Sequence, residues 1–283
     1  MLAKLKSIIK SSRLFAELRK IKYRQARQRS KNKTVLSLSS MQRILVEELN
    51  IQQGDNIIVH CGFGFLRADF SPLQLVGLLK ELVGTEGSIV MPFYPPGLSS
   101  DWANAGRDFN IDTVKCSTGV LAQTFASSDV LTSIHPIKSV CAWGKNAEQL
   151  ISEHQHSQYP FDDKSPYYKI SLLNNSKTVG LGVSNCSMIH CAEDLYEKDK
   201  SYLYSNDPVK LKVTGDNVGA VVNTYYHHSK NKLITSETFF NLHCKGLAES
   251  THVNDVFFYT LNNTSMLKHC SALFIEGTNR KCL

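Results

Sequence analysis

Hydrophobic and polar positions divide the chain into an arm, a long α/β stretch and a C-terminal part of weaker rhythm. Leu2, Leu5, Ile8, Ile9, Leu14, Phe15, Leu18 and Ile21 recur at helical spacing with Lys and Arg between them. This predicts an amphipathic helix in residues 1–33, running into a linker from about residue 24. Beyond Ser37 the pattern predicts a helix over 41–49, with Ser39 and Gln42 as a capping box. A strand over 56–60 follows, then a glycine-bearing turn at 61–64. Ser71-Pro72 opens a helix whose buried side is Leu73, Leu75, Val76, Leu79 and Leu82. A second strand over 88–93 completes a β-α-β unit, the mark of parallel pairing.

Residues 94–117 are too long and too weakly patterned for a plain connection, and such loops are usually functional. Helices are predicted over 118–126, 145–154 and 167–173, with a short strand over 140–143. Residues 209–213 and 218–228 alternate as antiparallel strands, while 237–274 mixes helix and strand signals. The fold class expected is α/β, with a mixed, largely parallel central sheet, flanking helices, antiparallel C-terminal additions and a basic N-terminal helix. The domain boundary falls between an arm, 1–33, and one domain, 34–283.

The stretch 178–194, TVGLGVSNCSMIHCAED, is the focus. An apolar strand over 178–183 stops at a polar turn, and a helix follows with Ile189, Ala192 and Leu195 at core-facing spacing. Ser187 is placed to cap that helix through its hydroxyl. His190 then falls in the first turn beside the carboxyl end of a strand, with Glu193 three residues on and on the same face. A histidine so placed can act as a base at neutral pH. Taken alone, the local pattern more often marks a histidine that only caps or packs.

Charge changes the reading of the arm. Residues 1–33 hold 12 of the 32 Lys and Arg and a single acid, Glu17, whereas the rest of the chain has a net charge of −4. A globally basic nucleic-acid binder is therefore excluded. The arm suits an anionic membrane surface and a protein partner, including a second copy of the chain, about equally well, with nucleic acid behind both. No apolar run reaches membrane-spanning length and no signal peptide is visible, so a cytoplasmic protein, peripheral at most on the inner membrane face, is expected.

Eight cysteines at 61, 116, 141, 186, 191, 244, 270 and 282 form no C-x-x-C pair, which fits a reduced chain. No G-x-S-x-G elbow, Walker loop or G-x-G-x-x-G fingerprint is present. His154 with His156 and His227 with His228 lack partners at zinc spacing and read as solvated surface residues, so no metal is expected. Cys186 and Cys191 flank His190, yet a thiol nucleophile is the weaker reading.

A series of short motifs is more specific than any one of them. Val59-His60-Cys61-Gly62, Val90-Met91-Pro92-Phe93, Thr118-Gly119-Val120-Leu121-Ala122, the run from Ser133 and His135-Pro136 to Ser139 and Gly144, Pro160-Phe161, Ser165-Pro166-Tyr167-Tyr168 and Ser187-Met188-Ile189-His190-Cys191-Ala192-Glu193 fall in this order. Together they resemble the aminoglycoside 3-N-acetyltransferase family, over about residues 40–200. That family has a VHxS turn, a VMPT strand, a GxLAE helix, an HPxxSxAAxG stretch, an SPxxKL helix and a TxxHxAE motif. Beyond residue 200 the family's glycine corresponds to Asn254.

The resemblance implies acyl transfer from acetyl-CoA, or another acyl-CoA, to an amine. It matches His190 to the family's general base, Ser187 to its threonine, and leaves Glu193 to hold the second ring nitrogen; His135 ranks below these. Cys61, Gly62, Phe93, Ser117 and Ser139 match family positions near the cofactor. Cys61 and Gly62 replace serines, so backbone amides are the expected donors there. The acceptor favoured is a small-molecule amino sugar of surface-polysaccharide biosynthesis, nucleotide- or lipid-linked, because the arm is foreign to drug-modifying members and the 94–117 loop mixes Asp101, Asp108 and Asp112 with Arg107 and Lys115. Aminoglycoside resistance, sugar O-acetylation and an inactive membrane-associated scaffold are the alternatives.

Overall fold

The computed structural model describes residues 35–216, 218–228 and 234–278, so the helix expected in the arm lies outside the described residues. The first helix, α1 (Leu38–Arg43), starts earlier than predicted because Ser37, not Ser39, caps it, accepting the Ser40 amide at 3.1 Å. It runs on as a π-helical turn over Ile44–Glu48. Strand β1 (Asn56–Cys61) is buried along almost its whole length. The glycine-bearing turn after it is a single helical turn, α2 (Phe63–Leu66).

Helix α3 (Pro72–Val83) opens with a capping box, Ser71 and Gln74 each accepting the other's amide. Leu75, Val76, Leu78, Leu79 and Val83 form its buried face. Leu73, expected among them, is 63% exposed. It stands two positions from Leu75, and residues two apart on a helix do not share a face. Strand β2 (Ser88–Pro92) follows, and the long segment after it contains α4 (Ser99–Ala105) and β3 (Phe109–Asn110). Then come α5 (Val120–Ala126), β4 (Leu131–Thr132), β5 (Val140–Gly144), α6 (Ala147–Ile151), α7 (Pro166–Ser171), β6 (Ser176–Leu181) and α8 (Met188–Tyr196).

The C-terminal part resolves into β7 (Val209–Gly215), β8 (Val218–Thr224), α9 (Ser236–Phe239), β9 (Glu249–Val253), β10 (Val256–Asn262) and α10 (Asn263–Ile275). Asn254 and Asp255, both at positive φ (52° and 63°), make the two-residue loop between β9 and β10. Hairpin loops of that length need left-handed residues, which Asn and Asp tolerate, so Asn254 serves where the family has glycine.

Seven strands form one sheet in the order β4-β5-β2-β1-β6-β10-β9, and β3-β7-β8 form a second. The main sheet is mixed, as expected. Parallel pairing is confined to β2-β1-β6, with antiparallel strands on both sides. Side chains of β1 alternate between two cores: Ile57 and Val59 face the side of α1, α3 and α5, while Ile58 faces that of α7, α8 and α10.

Gly180 in β6 stands opposite Tyr259 of β10. A Cβ there would lie 1.9 Å from the Tyr259 ring, whose hydroxyl donates to the carbonyl of Asn185 just before α8. The missing side chain thus lets the tyrosine lie flat on the strand and hold the next turn. Gly180→Ala should lower the unfolding free energy in urea by about 1–3 kcal/mol, the usual cost of overpacking. An unchanged denaturation midpoint would show that the ring can yield without loss.

Candidate active site

Because β1, β2 and β6 are parallel neighbours, their carboxyl ends share one edge of the sheet. Two adjoining cavities, of about 450 and 370 Å³, lie there. The first is walled by His60 and Cys61 at the end of β1 and Gly62 after it, by Ser117 to Gly119, and by Asn185 and Ser187 before α8. The second is walled by parts of the 94–102 stretch and by His227, His228, Ile234 and Thr235. Tyr94, Ser117, Lys138 and His190 belong to both walls.

Ser187 occupies the N-cap position of α8, but its hydroxyl does not cap it, which corrects the expectation. Its backbone is already helical (φ −69°, ψ −20°), and the hydroxyl lies near those of Tyr94 and Tyr167. Those two hydroxyls are 2.7 Å apart. Instead the Ser187 amide donates to Nε2 of His60 at 3.3 Å and its carbonyl accepts the His190 amide at 3.0 Å.

His190 is 19% exposed, and its Nδ1 lies 2.7 Å from Oε2 of fully buried Glu193. A carboxylate only accepts, so Nδ1 carries the proton and Nε2 is left as the acceptor of the ring. Asp194, the next residue, accepts the Phe161 amide at 2.8 Å and the Tyr204 hydroxyl. The Phe161 ring lies 4.8 Å from that of His190, and the Tyr204 ring stacks on His227 at 4.4 Å. Two consecutive buried acids therefore position both histidines, whose rings are 5.3 Å apart.

The ligand atoms of His190, Glu193 and His227 fall within 4.8 Å of one another. With Glu193 committed to His190, two histidines remain, one fewer than the three protein ligands of catalytic zinc sites. The reading of His227 and His228 as surface residues is corrected, since both are half-buried and line the second cavity. His154 is also misread as solvated; it is buried, 2.8 Å from Ser133 Oγ and stacked on His135.

Of the residues matched to the cofactor, Cys61, Gly62 and Ser117 line the first cavity, and Phe93 and Ser139 do not. Phe93 stands between two wall residues, Pro92 and Tyr94, so alternation turns it into the core. Ser139 is buried, its hydroxyl donating to the Ser133 carbonyl at 2.6 Å. The Gly62 amide, an expected donor, already bonds the Leu181 carbonyl at 2.9 Å.

His135 is buried away from both walls, and its Nδ1 accepts the amides of Ile137 and Lys138 at 3.3 and 3.1 Å. Its effect on the cleft is indirect, through the turn that carries Lys138. Burial pushes the thiols of Cys61, Cys186 and Cys191 up and keeps them protonated, which disfavours a thiol nucleophile.

A sequence profile described as aminoglycoside 3-N-acetyltransferase matches residues 58–274, well over half of the chain. The chain belongs to the aminoglycoside 3-N-acetyltransferase family. Membership makes it an acyl-CoA-dependent acetyltransferase. Solved structures share the fold of this family member. Aminoglycoside acetyltransferase AAC-IIIb, solved with coenzyme A, is 14% identical with a TM-score of 0.70, over 88% of this chain and 100% of that one. A histidine-to-alanine variant of AAC(3)-IVa, in complex with a gentamicin, is 20% identical with a TM-score of 0.69, over 87% and 91%. YokD protein from Bacillus subtilis is 19% identical with a TM-score of 0.63, over 83% and 99%.

His60, which the motif comparison quoted only as part of a turn, is held neutral: burial, helped by His190, lowers its pKa to about 4. The unfolded chain, with an ordinary histidine near 6.5, takes up a proton that the folded chain refuses between those values. Stability from this group is thus intact above about pH 6.5 and lost on acidification towards pH 4. In urea titrations, wild type should lose more unfolding free energy from pH 7 to 5 than His60→Gln. Parallel curves would show that His60 is not the titrating group.

Proposed function

We propose that the protein transfers the acetyl group of acetyl-CoA directly to the amine of an aminated sugar, with His190 as general base and Glu193 as its orienting partner. The observation that carries this reading is the Glu193-paired His190 standing on the walls of both cavities. An enzyme that moves a group between two bound substrates needs its base where the two meet.

The first cavity suits the thioester arm. Small residues, Cys61, Gly62, Ser117 and Gly119, form part of its wall, and at Gly62 a Cβ would come within 2.6 Å of Phe65 and 2.9 Å of Val183. The second cavity then takes the acceptor. Attack requires an amine that has lost its ammonium proton. As nitrogen bonds to the thioester carbon, Nε2 of His190 takes a proton from it, and Glu193 stabilises the imidazolium. The C–S bond breaks, and the imidazolium returns the proton to the departing thiolate. No covalent enzyme intermediate is needed, because the thioester is already activated.

The family description supports an acceptor of the aminated-sugar class, as does the gentamicin bound by one solved relative. The expected setting in surface-polysaccharide assembly rested on the arm, which lies outside the described residues, and on the mixed charges of the 94–117 segment. Among those residues no helix is long and apolar enough to cross a membrane.

His190→Ala should slow acetyl transfer at least ~10²-fold, the usual size of a general-base contribution. Thiol release from acetyl-CoA in the presence of an amino sugar measures this. Glu193→Gln should also slow transfer, while both variants still melt at a higher temperature with acetyl-CoA present. Activity surviving in His190→Ala would remove the histidine from the mechanism.

A further inference from the structure

A polycationic acceptor needs carboxylates around it, because each ammonium group moved out of water must be matched by opposite charge. Among the described residues, no Asp or Glu lines either cavity. Glu193 is fully buried and paired to His190. The acids of the 94–117 segment are committed or elsewhere: Asp101 accepts the Leu98 amide at 3.1 Å, Asp112 accepts the Asp216 amide at 2.7 Å, and Asp108 stands exposed off both walls.

What the walls do carry is a cation. Lys138 lines both cavities, held by its backbone amide on His135 and by its ammonium 4.3 Å from the centre of the Tyr94 ring. No carboxylate pairs with it among the described residues. Burial lowers its pKa to about 8, so it is charged at neutral pH but poorly solvated. An anion placed beside it would restore what burial removes. His227 and His228 stand on the same second wall.

We propose that Lys138 anchors an anionic group, phosphate or carboxylate, on the acceptor, so that this enzyme acetylates an acidic amino sugar in preference to a polycationic aminoglycoside. The inference rests on the acetyl transfer proposed above and names the charge of the substrate at that same site. Lys138 is a specificity-determining residue, distinct from the base.

The test pairs matched probes on the full chain: glucosamine, glucosamine 6-phosphate and the polycation kanamycin, each with acetyl-CoA. The phosphorylated amine should show a KM at least tenfold below that of glucosamine, with kanamycin poorest. Lys138→Gln should erase the phosphate advantage while moving the KM for acetyl-CoA less than threefold. Lys138→Glu should shift the preference towards kanamycin.

Binding gives a second readout without turnover: glucosamine 6-phosphate should raise the melting temperature of wild type and not of folded Lys138→Gln. Preference for kanamycin in wild type would overturn the proposal. So would a rise confined to the KM for acetyl-CoA in Lys138→Gln, which would assign the lysine to the thioester substrate. Phosphate-dependent, Lys138-dependent binding without acetyl transfer would strike the proposed reaction and leave the anion site standing.

Discussion

A carboxylate with no exposure to solvent is the constraint around which the site is organised. Glu193 is such a group, and its desolvation is tolerated only because a partner meets it inside the protein. That partner is His190, one turn earlier on the same helix. Helix geometry alone brings the two together, but it does not fix where the pair sits. The position comes from contacts at the start of α8: the Ser187 amide on His60, the Asn185 carbonyl on Tyr259, and Phe161 held by Asp194 against the His190 ring. These link α8 to β1, β10 and the loop before α7. The base is therefore held from several directions, which a base acting between two substrates requires.

Parallel pairing of β2, β1 and β6 explains why the cleft lies where it does. Three neighbouring strands that run the same way end on the same edge, and each must leave the sheet through a turn there. The turns after β1 and β6 and the chain leaving β2 build the first cavity. The second is completed by residues from beyond β8, His227 and His228, and by the start of α9. Both cavities thus draw on the chain that leaves β2, and the second alone adds residues from between β8 and α9, which suits one fixed thioester substrate and one variable acceptor.

Much of this was legible in the sequence, and the failures have physical causes. The strand, turn and helix of 178–194 were read correctly because a buried strand and an amphipathic helix have different periods. The His190–Glu193 contact followed from three-residue spacing. Phe93 and Ser139 were misplaced because matching a motif gives position along a chain and not the face of the strand. Lys138 escaped notice and His227 was taken for a surface residue because their closeness to His190 is made by the fold across tens of residues. For Lys138 the only local sign was a charged residue inside an otherwise uncharged, mostly apolar stretch, Ile137 to Trp143. The β9–β10 hairpin had a sign that was overlooked, Asn254-Asp255 just ahead of the apolar run Val256 to Tyr259.

The relation between His135 and Lys138 shows how a buried polar residue can govern a site it never touches. His135 accepts two successive amides with Nδ1, and burial keeps that nitrogen unprotonated. Both amides belong to the turn that delivers Lys138 to the cleft. A protonated ring would lose the acceptor and release the turn, so the neutrality of one histidine supports the placement of a cation three residues on. Stacking of His135 on His154, itself held neutral by burial, extends the same logic inward. The cation at the cleft is thus held in place by two buried histidines that carry no charge.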